Sequence, residues 1–429
     1  MYLYEGSQEN ELQQYKISEK LWSSISAAFE RAAKYIHAKG GYKAEYLTDK
    51  EVKPLIDKTY EAFSEAVDYG LKDNEIPASM RLYLQDNVFV FSGFKAHTEL
   101  RQASALLRDA SEQIKPFNRF LTDIQKIDKD YNKTYLQAEY NFAVASSQAA
   151  ARWQEIAADG DDFLLQYRTA KDERVREQHR LLDGITLPPS DKFWDEFFPP
   201  NGWNCRCYAV QVNPKRYPES NSEEAIQRGR AATYQPNAKG QNKAQIFRFN
   251  PGKDKKIFPP KHPYYKAKQE VTDVVTDMEV IFPTEKGLVV YQRQGDQELT
   301  NNIQTAEFLA NTFGWKLYLK KDLNQTNKKT ADAINMSLGI EQELKINTKA
   351  NATSLQSELR VGSKQANYII IRFADFLSFD KSKKQFIKNE VYRNFGRYSR
   401  IEDVMLIYPD GGYELLTRKQ FEEMSKESK

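Results

Sequence analysis

From Glu9 to Ala38 the apolar residues Leu12, Tyr15, Leu21, Trp22, Ile25, Phe29, Ala32 and Ile36 recur mostly at three- and four-residue steps. That period lays a single apolar stripe along an α-helix. It returns over Val52–Val67 and Tyr83–Leu106, and the stretch Tyr131–Ala158 is rich in alanine at its centre, with Ala143, Ala145, Ala149, Ala150 and Ala151. Alanine loses no side-chain freedom in a helix and permits close packing. The first half therefore predicts a helical assembly. Phe89, Phe91, Phe94 and Trp153 belong to its core, because aromatics at helical spacing are usually packing residues rather than a ligand box.

Between Pro214 and Tyr265 the period lapses, and Pro214, Pro218, Pro236, Pro251, Pro259, Pro260 and Pro263 are spread among Asn, Gly, Ser and Lys. This texture predicts an extended arm or linker. From Thr272 strands and helices alternate. Strands are predicted at Gly287–Gln292, Trp315–Leu319, Tyr368–Phe373, Val404–Tyr408 and Tyr413–Leu416, and a hairpin joins Ala331–Ser337 to Ile340–Ile346 through Leu338-Gly339. Helices are predicted at Ala306–Phe313, Ser354–Ala366 and Lys381–Phe395. Asp410-Gly411-Gly412 supplies the positive-φ chemistry of a hairpin turn. The expected fold is multidomain: a mainly α domain over 1–213, an extended Pro-rich arm over 214–266, and an α+β domain with an antiparallel sheet over 267–429.

A chain of 429 residues with 40% hydrophobic content can bury ordinary cores in two or three domains. No run approaches the roughly 18 apolar residues of a membrane span, and the N-terminus MYLYEGSQENELQQY lacks the basic and apolar regions of an export signal. We expect synthesis in a cytoplasm and no cofactor. The net charge of +3 is too small for a global nucleic-acid argument. Lys253, Lys255, Lys256 and Lys261 in the arm suit contact with packaged DNA, or a solvated surface.

Phe197–Cys207, FFPPNGWNCRC, holds both cysteines of the chain. With His179 upstream, Cys205 and Cys207 have the donor types of a zinc site, but one ligand short of a tetrahedron and at an unusual spacing. The other reading is a packed structural knot without metal, and both stay open. The stretch Tyr131–Val212 resembles the phage Mu F-like minor head, or head morphogenesis, domain. The ordered set Asp172, Arg176, His179, Asp183-Gly184, Pro199-Pro200, Gly202 and Cys205-Arg206-Cys207 carries the resemblance. It implies a protein packaged in tailed-phage heads near the portal, with portal and capsid proteins as partners and the virion interior as its place.

The second domain has neither cysteine nor histidine, which excludes thiol chemistry and the usual imidazole base. Along the strand IEQELKI, Glu341, Glu343 and Lys345 share one face, with Leu344 and Ile346 on the other. Lys381, Lys383, Lys384, Lys388, Arg393, Arg397 and Arg400 interleave with Tyr392, Phe395 and Tyr398 as a candidate polyanion seat. The order of parts from Thr305 to Leu416 resembles the barnase, EndoU, colicin and RelE-like nuclease superfamily. The resemblance implies a metal-independent ribonuclease effector that attacks through the ribose 2′-OH. Its candidate base is Glu343, its cations Lys345 and Arg372, its clamp or proton donor Arg397 or Tyr398, with RNA held by Lys384, Lys388 and Arg393. A purely structural domain that binds DNA or the portal is the alternative. An ADP-ribosyltransferase tail, suggested by Glu341-Gln342-Glu343, ranks last for want of a Ser-Thr-Ser strand.

Overall fold

The computed structural model describes residues 16–427 except 73, 75, 77, 268, 285, 293–296 and 321–330. The first seven positions of the expected opening helix, Glu9–Tyr15, lie outside the described residues. The chain divides into two compact units, the first ending at Thr276 and the second starting at Asp277.

In the first unit the helices are α1 (Glu19–Lys39), α2 (Lys53–Leu71), α3 (Ala78–Ala105), α4 (Phe117–Lys129) and α5 (Leu136–Asp159). Ser18 starts α1 by accepting from the Leu21 N–H, and Gly40, at φ 74°, ends it in the left-handed conformation that glycine adopts without penalty. The stripe Leu21, Ile25, Phe29, Ala32 and Ile36 is buried as its spacing predicts. Where α2 meets α5, a Cβ on Gly70 would stand 2.7 Å from the Val144 carbonyl oxygen, so this crossing needs glycine. Phe89, Phe91, Phe94 and Trp153 are all buried.

After α5 the chain builds a small antiparallel sheet in the order β2-β1-β3, from β1 (Leu164–Arg168), β2 (Thr186–Leu187) and β3 (Tyr208–Val212). The short helices α6 (Glu177–Arg180) and α7 (Phe193–Phe197) lie between these strands in sequence. Leu165, Tyr167, Phe193, Trp194 and Phe197 pack with Trp153 of α5 in one cluster, which fixes the sheet to the helices.

The expected extended arm is a correction. Residues 214–266 form α8 (Ser222–Ala232), capped by Asn221, and α9 (Pro251–Asp254), capped by Asn250. They also bury Phe247, Phe249, Ile257, Phe258, His262 and Tyr264. Phe258 stacks on Phe91 of α3 with ring centroids 3.6 Å apart. Pro251 and Pro263 occupy first-turn positions of helical segments, where a missing N–H leaves nothing unsatisfied. The segment is thus part of the helical unit. Two of its lysines are engaged within that unit: Lys253 pairs with Asp195, and Lys255 lies over the Tyr83 ring.

Helix α10 (Gln269–Asp277) runs to the division between the units. The second unit holds an eight-stranded sheet in the order β11-β10-β9-β8-β7-β6-β5-β4. Its strands are β4 (Glu279–Pro283), β5 (Leu288–Gln292), β6 (Lys316–Leu319), β7 (Ala333–Asn335), β8 (Ile340–Asn347), β9 (Tyr368–Phe373), β10 (Asp403–Ile407) and β11 (Tyr413–Thr417). The sheet is mixed, not antiparallel as expected: β5 pairs with β6, β8 with β9 and β9 with β10 in parallel. The crossovers that parallel pairing demands are α11 (Gln297–Phe313), α12 (Ala352–Gly362) and α13 (Lys381–Arg397), and α14 (Arg418–Glu427) follows β11. Asn351 and Ser354 close a capping box at the start of α12. The α12–α13 face of the sheet buries Leu355, Leu359, Ile369, Ile371, Ile387, Val391 and Leu406.

Candidate functional site

The motif residues of the first unit gather at one place. α6 presents His179, buried, and the turn from Gly202 brings Cys205 and Cys207 back to it. Asn204 takes φ 55° in that turn, a left-handed conformation that asparagine tolerates. His179 Nδ1 lies 3.6 Å from the Sγ of Cys205 and 3.6 Å from the Sγ of Cys207. Between the two cysteines, Arg206 forms a two-pronged ion pair with Asp172. The Arg206 guanidinium holds the Asp172 carboxyl down at about 2. Arg176 donates to the Trp203 carbonyl at 2.5 Å, and a Cβ on Gly202 would meet the same guanidinium at 3.3 Å. Asp183 accepts from the Thr169 N–H and hydroxyl at 2.8 and 3.1 Å, closing the turn before Gly184, whose φ is 83°. A hydrogen bond from Cys207, reinforced by His179, holds the Cys205 thiol well below its usual range. Asp172, Arg176, His179, Cys205, Arg206 and Cys207 thus belong to one knot or its braces, and Asp183 closes a turn before Gly184.

In the second unit the predicted constellation separates. The β8–β9 register sets Glu343 beside Ile369 and Lys345 beside Ile371, but Arg372 beside Ile346. Cross-strand partners share a face, so Arg372 lies on the opposite face of the sheet from Glu343 and Lys345. There its guanidinium reaches Gln304 of α11 at 2.6 Å and Asp375 at 3.2 Å. Glu343 is fully buried, so a carboxylate expected to meet substrate is covered by protein. Three cations of α13 are engaged as well: Lys384 with Asp410 at 2.9 Å, Lys388 with Glu414 at 3.7 Å, and Arg393 with Glu390 at 2.5 Å. Arg397 is exposed at the helix end, and Tyr398, half-buried, packs on the core. A groove of about 420 Å³ runs between Phe379, Lys381, Lys384, Lys388 and Glu414.

What does assemble is a polar cluster on the α12 side. Lys345 pairs with Glu343 and lies 3.7 Å from Asp332. Asn347, buried, donates to Glu358 of α12 at 2.9 Å and to Ser354 at 3.0 Å. Burial, with Asp332 adding to it, raises the Glu343 carboxyl to about 7, and burial raises Glu358 likewise to about 7. Asp332, Asn347 and Glu358 were not legible as members. The period of β8 puts Asn347 on the Glu343 face, but α12 reaches that face only through the tertiary fold.

A family profile described as phage Mu protein F like protein matches residues 104–210. The putative capsid assembly protein F of Escherichia phage Mu is 32% identical over 81 residues, which are 19% of this chain and 18% of that protein. The Mu-like prophage FluMu F protein of Haemophilus influenzae is 29% identical over 87 residues, 19% of this chain and 21% of that one. An uncharacterised protein of Methanocaldococcus jannaschii is 32% identical over 94 residues, 21% of this chain and 14% of its own length. The chain therefore spans about a fifth or less of the curated relatives it matches. No solved structure matches it. The matched stretch encloses the whole knot from Asp172 to Cys207, and the middle of this chain is similar to phage Mu protein F.

Proposed function

We propose that the protein is a minor head protein of a tailed phage, made in the host cytoplasm and built into the head near the portal during head morphogenesis. Portal and capsid proteins are its partners, and the virion interior is its destination. The observation that carries this is the single knot formed by Asp172, His179, Cys205, Arg206 and Cys207 inside the stretch similar to capsid assembly protein F. An ion pair of Asp172 with Arg206 braces the knot beside the apolar cluster of Tyr167, Trp194 and Phe198, so it offers a loop surface of fixed shape on a rigid scaffold. The test is complementation. Particles produced without the chain should lack normal heads, the wild-type gene should restore them, and Asp172→Ala with Arg206→Ala should not, although the chain is made in normal amount. Normal heads from that double variant would remove the knot from assembly.

A second reading concerns the second unit, as an RNA-cleaving passenger without a metal. The Lys345 cluster favours it, because two carboxyls tuned to about 7 flank one cation. Glu358, half-exposed, replaces the covered Glu343 as the base that takes the 2′-OH proton, and Lys345 faces the phosphate charge. Losing such a cation costs about a hundredfold in rate or more. Purified full-length chain should cleave RNA in the presence of EDTA, and Lys345→Ala and Glu358→Gln should each abolish cleavage. RNA left intact by the wild-type chain returns this unit to a purely structural role.

A further inference from the structure

Two thiol sulfurs converge on one imidazole nitrogen. Nδ1 of His179 stands 3.6 Å from Cys205 Sγ and 3.6 Å from Cys207 Sγ. A neutral imidazole nitrogen has one lone pair, so a single S–H can point along it. The second sulfur then stands at the same distance from a nitrogen whose lone pair is already taken. A metal ion removes the conflict, since it accepts all three lone pairs at once. With Zn–N near 2.05 Å and Zn–S near 2.3 Å, tetrahedral angles separate nitrogen from sulfur by about 3.6 Å. The three donor atoms lie within 4.8 Å of one another, and no other group of three such residues does so among the described residues.

We infer that His179, Cys205 and Cys207 bind one zinc ion. Each thiol gives its proton to solvent on binding, and the two thiolates cancel the double charge of the ion. The site is then neutral overall, as a buried position requires. The fourth position opens on a cavity of about 10 Å³ bordered by Arg174, Arg176 and Asn204. That is the space of about one water, which completes the tetrahedron. The surrounding pairs brace the ligands: Arg206 on Asp172 anchors the residue between the two cysteines, and Arg176 on the Trp203 carbonyl anchors the turn before them. The ion would tie α6 to the start of β3 across 26 residues of chain.

The full chain, purified under reductant and dialysed against zinc-free buffer, should retain about one zinc per molecule by elemental analysis. Cys205→Ser with Cys207→Ser should lose it, and His179→Ala should weaken retention at least about a hundredfold in a chelator competition, beyond what an outer-shell change does. Because the sequence holds only these two cysteines, a thiol reagent reads the site directly. Both thiols should be protected until a strong chelator is added and reactive afterwards. Cobalt(II) added to the stripped chain should give the intense visible and near-ultraviolet bands of tetrahedral thiolate coordination. If the serine variant does not fold, the cobalt spectrum and the thiol protection of the wild-type chain decide alone. A folded wild-type chain that takes up neither zinc nor cobalt, or whose thiol reactivity ignores the chelator, would overturn the inference. So would a serine double variant that keeps its zinc.

Discussion

Lys95 of α3 has no solvent exposure, and its ammonium donates to the Tyr131 carbonyl at 2.7 Å and to Glu139 of α5 at 2.8 Å. Tyr264, from the segment expected to be an arm, donates its hydroxyl to the other oxygen of Glu139 at 3.1 Å. Lys95→Met keeps the volume and deletes the cation paired with that carboxylate. Glu139 is then left in the core without its cation, and breaking a buried pair by removing one partner costs about 3–4 kcal/mol. For a unit of this size that lowers the melting temperature by roughly 6–15 °C. Adding Glu139→Gln should recover most of the loss at pH 7. Trp22, Trp153, Trp194 and Trp203 lie in the first unit and only Trp315 in the second, so fluorescence-detected unfolding follows the right one. No recovery in the double variant would refute the charge argument.

Three further outcomes are expected. The Glu343 and Glu358 carboxyls are raised from 4.5 to about 7, so between those values the folded second unit holds protons that the unfolded chain has lost. Its stability should therefore fall as pH rises through that window and level off above it, by on the order of 2 kcal/mol per group, and Glu343→Gln should roughly halve the slope followed through Trp315. A Cβ on Gly252 of α9 would overlap Trp153, so Gly252→Ala should destabilise the first unit by about 1–3 kcal/mol and shift the tryptophan emission. In limited proteolysis, residues 244–266 should stay with the helical unit because Phe247, Phe249, Ile257 and Phe258 are buried; early cutting within Phe247–Phe258 would contradict the packing described.

Elements with a strong local pattern were legible. Tyr368–Phe373 coincides with β9, since a central strand buried on both faces reads as an unbroken β-branched run. The hairpin of β7 and β8 was marked by Leu338-Gly339, and Gly339 indeed takes φ 69°. What failed depends on distant partners. Prolines in 214–266 hid a segment whose order comes from aromatic contacts such as Phe258 on Phe91, more than 160 residues away. β1, β2 and β3 span two to five residues each, too short to show a period. The alternation along β8 correctly set Glu343 and Lys345 on one face, but whether Arg372 joins them depends on the β8–β9 register, and that register puts it on the other. The knot was legible because its residues are chemically unusual and occur in a fixed order; its geometry was not.

The central proposal is that this chain is built into phage heads through the stretch similar to phage Mu protein F. Quantitative mass spectrometry of particles purified from cells carrying the gene tests it directly, using peptides from both units calibrated against the major capsid protein. A small, constant number of copies per DNA-filled head, with the knot peptide around Cys205 present in the same ratio, is the predicted result. Complete, infectious heads free of the chain, with all of it left in the soluble lysate, would contradict the account.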